Sequence, residues 1–72
     1  SKKNKIFGLL AVYYLHLLEN NKEKAVEYLE VHLIPYISTK VELKEPHRYF
    51  SKLLSQCYLN AGEYEKAFQF IQ

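Results

Sequence analysis

The 72-residue sequence contains no Asp, Met or Trp, a single cysteine, two glycines and two prolines. One cysteine excludes an intrachain disulfide framework and fits a reducing compartment, so a cytoplasmic setting is expected. No apolar run reaches the ~20 residues of a membrane-spanning helix. The longest candidate, Leu9 to Leu18, is interrupted by Tyr13, Tyr14 and His16. No charged-then-apolar leader with a small-residue cleavage site is visible. The first residue is Ser1 rather than Met, which predicts a processed chain or, preferably, an excerpt of a larger protein. A dominant charge is lacking too: the net charge is +2, part of it from Lys2, Lys3 and Lys5, while Glu and Lys alternate elsewhere. That pattern is a solvated surface and not the clustered basic footprint of a nucleic-acid binder. What remains is ordinary globular composition, 49% apolar and 25% charged, in a single small domain whose core is only marginally stabilising.

Catalytic constellations are also missing. His16, His32 and His47 are widely separated on three different predicted helices, with no HExxH or Cys–His pairing, whereas a metal site needs several converging ligands. His16 reads as a partly buried packing residue, His32 as solvent-side and His47 as a first-turn surface residue. Cys57 falls on the inner side of a predicted helix, where a thiol is a small core residue and not a nucleophile. Glu27 with Glu30, and Glu63 with Glu65, read as solvated faces with Lys partners. Glu23 and Glu27 form a like-charge i,i+4 pair. No enzyme activity, metal or cofactor is expected.

Helical periodicity dominates instead. Ile6, Leu9, Leu10, Tyr13 and Leu17 recur at three- and four-residue spacing, predicting a helix over about 4–19. Asn20–Asn21 breaks it, because Asn tolerates the left-handed conformation and caps helices. A second helix starts near Lys22, with Ala25, Val26, Leu29, Leu33 and Ile37 inward. Pro35 either ends it near Leu33 or kinks it on the way to Ser38; Tyr36 and Ile37 keep the apolar phase, which favours the kink. Residues 38–45 read as a loop or a frayed helix end. Pro46 then opens a third helix, where its missing N–H costs nothing; Tyr49, Phe50, Leu53, Leu54, Cys57 and Tyr58 are expected inward. Ala61–Gly62 closes it, and a fourth helix from Glu63 is expected to bury Tyr64, Ala67, Phe68 and Ile71. The fold class is all-α: hairpin 1 over about 4–38, a linker over about 38–45 and hairpin 2 over about 46–72.

The second hairpin resembles a tetratricopeptide (TPR) unit, a helix–turn–helix repeat of ~34 residues with small and aromatic residues at fixed offsets. Ser55 stands where a small residue lets the helices approach, Tyr58 where an aromatic fills the hairpin, Gly62 at the turn, Tyr64 at the start of the second helix and Ala67 at its small packing position. Ile71 follows one turn on. The first hairpin is a poorer copy. Its Lys24–Leu29 segment parallels Lys66–Ile71, with Ala25 matching Ala67, yet Tyr13 and His16 occupy the small and aromatic positions. Shifting by two would place Ala11 and Tyr14 there, with a longer turn at Asn20–Asn21. The interval from Ala25 to Ala67 is longer than the family period. The runs Tyr28–Tyr36 and Ala61–Ala67 are further similar to the late repeats of Rap-type peptide-pheromone receptors and related quorum-sensing regulators of Gram-positive bacteria. That resemblance implies two antiparallel helical hairpins of a TPR-like α-α superhelix that bind a protein or a short signalling peptide, as part of a regulator.

In such arrays the first helix of each hairpin lines the binding surface. The resemblance therefore implies contact residues Tyr49, Lys52, Gln56, Leu59 and Asn60, with Lys52 toward a peptide carboxylate and the amides toward peptide backbone. The family's carboxylate clamp pairs a Lys with an Asn one helical turn on; here Gln56 stands in that place. Of the seven tyrosines, Tyr13, Tyr58 and Tyr64 are assigned to packing, and Tyr14, Tyr36 and Tyr49 to exposed contact. The competing reading is a structural bundle that dimerises through Leu10, Tyr14 and Leu17 and binds no peptide. Two repeats bury their faces poorly alone, since about three are needed, so self-association or marginal stability is expected.

Overall fold

A computed structural model describes residues 2–40 and 45–70. The chain is all-α: α1 is Lys2–Leu18, α2 Lys22–Tyr28, a π-helical turn spans Leu29–Leu33, α3 is Ile34–Lys40, α4 Glu45–Asn60 and α5 Tyr64–Phe68. Among the described residues there is no strand, and no helix is long and apolar enough to cross a membrane.

Two turns reverse the chain by one mechanism. At the end of α1, Asn20 adopts φ 60°, its N–H bonds the Leu17 carbonyl at 2.9 Å, and the Asn21 N–H bonds that of His16 at 2.9 Å. At the end of α4, Gly62 adopts φ 79°, its N–H bonds the Leu59 carbonyl at 3.0 Å, and the Glu63 N–H bonds that of Tyr58 at 2.8 Å. Both are Schellman closures, which satisfy the last carbonyls of a helix at the cost of one left-handed residue. Asn20 precedes Ala25 by the same interval that separates Gly62 from Ala67. The turns are equal in length, so the unshifted register holds, with Tyr13 opposite Ser55 and His16 opposite Tyr58. The next residue differs: Asn21 caps α2 by accepting the Lys24 N–H at 3.1 Å, while Glu63 makes no side-chain cap.

Helical structure runs from Lys22 through Pro35 to Lys40, so the second helix does not end at Leu33. Its buried residues, Ala25, Leu29, Leu33 and Ile37, recur every four positions, and each such step drifts ~40° around an α-helix of 3.6 residues per turn. The π-turn, in which the Ile34 N–H reaches back to the Leu29 carbonyl, takes up that drift. It also lies immediately before Pro35, whose ring and absent N–H disrupt a regular turn there. Residues 38–40 continue the helix and Glu45 already belongs to α4, which shortens the expected linker; residues 41–44 lie outside the described residues.

A single core joins the elements. Ile6, Leu10 and Tyr13 of α1 meet Ala25, Leu29, Leu33 and Ile37, and the cluster continues into Leu54, Cys57, Tyr58 and Ala67. Tyr13 is wholly buried and its hydroxyl donates to the Cys57 carbonyl, far along the chain, tying α1 to α4. Two expectations for α5 are overturned. Tyr64 and Phe68 are each 69% exposed, while Ala67 points inward and Phe70 stacks on Tyr58 at 5.8 Å between centroids. The inward direction here passes through Ala67 of this short helix and Phe70 in the turn after it, and Tyr64 and Phe68 sit to one side. Ile71 lies outside the described residues.

Candidate functional site

The five contact residues inferred on α4 share one outward stripe. Tyr49, Lys52, Gln56, Leu59 and Asn60 recur at helical spacing and are all exposed. The inward placement expected for Tyr49 is therefore corrected, since it is 56% exposed; Phe50, with its ring 5.2 Å away, packs against the core instead. The opposite side of α4 buries Leu54, Ser55, Cys57 and Tyr58. Ser55 allows close packing there because its hydroxyl is satisfied locally by the Lys52 carbonyl at 3.1 Å.

Within the stripe the amides are organised. Gln56 Nε2 donates to Asn60 Oδ1 at 3.0 Å, and Tyr14 of α1 lies beside Asn60. The phenol of Tyr14 is raised above its ordinary pKa by burial and by Cys57, opposed by the neighbouring Asn60 amide. By inventory the amide pair leaves the Gln56 carbonyl and its second amide hydrogen for an incoming ligand. One turn before Gln56, the Lys52 ammonium is exposed, and Tyr49 and Leu59 add apolar surface.

Other expected contacts separate. Tyr36 is half-buried against the core, so only Tyr14 and Tyr49 of its group are exposed. Leu10 is buried and Leu17 packs partly against the core. The dimer surface of the competing reading is therefore corrected, because two of its three residues already have partners inside the chain.

The second helix pair is fastened to the first through Glu30. Its carboxylate accepts the Tyr58 hydroxyl at 2.8 Å and the Lys66 ammonium at 2.9 Å. The bond from Lys66 holds the Glu30 carboxyl below its ordinary pKa, with the Tyr58 bond adding to it and partial burial opposing. Burial first, then this carboxylate, push the Tyr58 phenol well above its usual range. The sequence suggests a lysine partner for Glu30 in kind, but Lys66 is too distant along the chain to leave a local signal. A groove of about 430 Å³, lined by Glu23, Val26, Glu27, Val31 and Glu63 among others, opens beside Glu30. None of the α4 contact residues lines it.

Cys57 is fully buried, and burial pushes its thiol up to about 11, the opposite of what a nucleophile requires. Tyr28 lies between two histidines, 6.0 Å from the His16 ring and 4.6 Å from that of His32. His16 Nδ1 is enclosed without a hydrogen bond, with a Glu19 oxygen 3.6 Å away. The His47 side chain lies outside the described residues. Among the described residues no group of three His, Cys, Asp or Glu side chains is placed to hold a metal ion. Comparisons with protein-family models, with curated proteins and with solved structures gave no match to this chain.

Proposed function

We propose that the chain is a TPR-type module that binds a protein segment or short peptide along the outward face of α4. The observation that carries this reading is the exposed Gln56–Asn60 amide pair on the outward face of α4. It leaves both donor and acceptor capacity toward solvent. An extended peptide offers alternating N–H and C=O groups that such amides can meet, Lys52 supplies a charge for a carboxylate, and Tyr49 and Leu59 supply anchoring area. The matching Schellman turns, each at the same interval before its packing alanine, support reading the two helix pairs as unequal repeats. The resemblance in residues 28–36 and 61–67 extends the proposal to a signalling-peptide receptor or regulator acting in the cytoplasm.

Amide chemical-shift mapping of the chain against a pool of short peptides with free C-terminal carboxylates tests the reading. Shifts are expected at Tyr49, Lys52, Gln56 and Asn60, weakened by Lys52→Glu, which alters an exposed residue and leaves the core intact. Perturbations confined to α2 and the groove beside Glu30, or no saturable binding, refute it.

A further inference from the structure

Helix α1 carries a second apolar row that its own chain leaves largely exposed. Phe7, Ala11, Tyr14 and Leu18 recur at alternating four- and three-residue intervals. All four are exposed, Phe7 at 54% and Leu18 at 84%. Beside it runs a second row, Lys5, Gly8, Val12, Leu15 and Glu19, with Leu15 53% exposed. Reversed about a point near Val12, the first row keeps its spacing and the second stays within about one residue of register. Reversal sets Phe7 against Leu18 and Ala11 against Tyr14, large against large and small against large. In the flanking row it sets Lys5 against Glu19 and Gly8 beside Leu15.

We propose that α1 is a homodimer seam, in which two copies of the chain pair antiparallel about a two-fold axis near Val12. Two observations select a second copy as the occupant. The first is charge. The first turn of α1 holds Lys2, Lys3 and Lys5 and no acidic residue, so the positive end of the helix dipole is unrelieved within that turn. Glu19 stands at the far end, and antiparallel pairing brings each Glu19 to the other copy's basic end; parallel pairing would set the lysines together. The second is Gly8. A glycine inside a helix weakens it, yet a Cβ here would meet nothing within 4 Å in its own chain. The fold gives no steric reason for this glycine, whereas a Leu15 side chain of a second copy closing over the bare backbone does.

The isologous contact closes on itself and stops at two copies. A 17-residue helix is ~25 Å long, so a single-helix seam is small beside the ~1,200–2,000 Å² of stable specific interfaces. Association is therefore reversible and concentration-dependent. Of the α1 seam residues only Tyr14 also lies beside the amide pair on α4, so mass measurements test the dimer separately from peptide binding.

Sedimentation equilibrium over a concentration series is expected to show a monomer–dimer equilibrium with no larger species. Leu18→Glu changes the most exposed of the large seam residues and is expected to raise the dissociation constant at least tenfold, with the circular dichroism of the monomer unchanged. Lys5→Glu and Glu19→Lys are each expected to weaken the dimer, and the double variant to restore it, because antiparallel pairing exchanges the two positions. Gly8→Ala is expected to weaken the dimer while raising monomer helicity. A chain that stays monomeric at the highest attainable concentration, a Leu18→Glu dimer as tight as the parent, or a charge-reversed double variant that fails to recover overturns the proposal.

Discussion

Tyr13 offers the sharpest test of how the two helix pairs are held together. Its side chain is wholly buried and its hydroxyl supplies a bond from α1 to the Cys57 carbonyl in the last turn of α4. Tyr13→Phe removes the hydroxyl and keeps the ring. The Cys57 carbonyl still accepts the Ala61 N–H at 3.2 Å, so no acceptor is orphaned and the cost is that of one ordinary hydrogen bond, about 1 kcal/mol. In a domain of this size that lowers the melting temperature by roughly 4–8 °C. Tyr13→Ala also removes the ring and leaves a cavity, at about 3–5 kcal/mol. A core in a chain of fewer than ~80 residues supplies about 3–5 kcal/mol in total, so this variant is expected to be largely unfolded at about 25 °C. Thermal and urea unfolding followed by circular dichroism separate the two, with the urea slope unchanged in the Phe variant. A neutral Tyr13→Phe, or one as damaging as Tyr13→Ala, refutes the division between packing and hydrogen bond.

Gly62→Ala should destabilise by about 1–2 kcal/mol, because the left-handed φ and not crowding sets the cost; a Cβ there meets nothing within 4 Å, and a neutral result in urea unfolding would refute the Schellman account of that turn. Acid should weaken the chain through Glu30. Its carboxyl is held below the ordinary value of 4.5, so the stability it contributes is present above that pH and lost as the pH falls through the lower folded value. Glu30→Gln should flatten the decline in melting temperature below about pH 4.5, by less than Tyr13→Phe costs at neutral pH, and an unchanged acid limb would show that Glu30 is not the fastener.

Much of the secondary structure was legible because it depends on neighbours in the chain. The apolar rows through Tyr13 and Ile37, the breaks at Asn20 and Gly62, and the start of α4 near Pro46 each follow from periodicity or from backbone preferences within one helical turn. The α4 stripe follows from the TPR resemblance and agrees with helical spacing at Lys52, Gln56 and Asn60, whereas periodicity places Tyr49 inward and the structure exposes it. The misreadings came where two apolar phases were both available. Around α5, Tyr64–Phe68 and Ala67–Phe70 are both regular rows in the sequence, and contact of Phe70 with Tyr58 selected the second. In α1 spacing makes the inward row plain, whereas the exposed row through Phe7, Ala11, Tyr14 and Leu18 is hidden among so many apolar residues.

The sequence by itself therefore determined an all-helical chain, the positions of its two reversals and the absence of a clustered charge. Those are consequences of local sterics, composition and period. The tertiary structure decided which of two competing rows became core, because only packing tells Phe50 from Tyr49 or Phe70 from Phe68. It also decided that Glu30 bridges the helix pairs and that Tyr14 comes to lie beside Asn60, since contacts between residues so far apart along the chain exist only once it has folded.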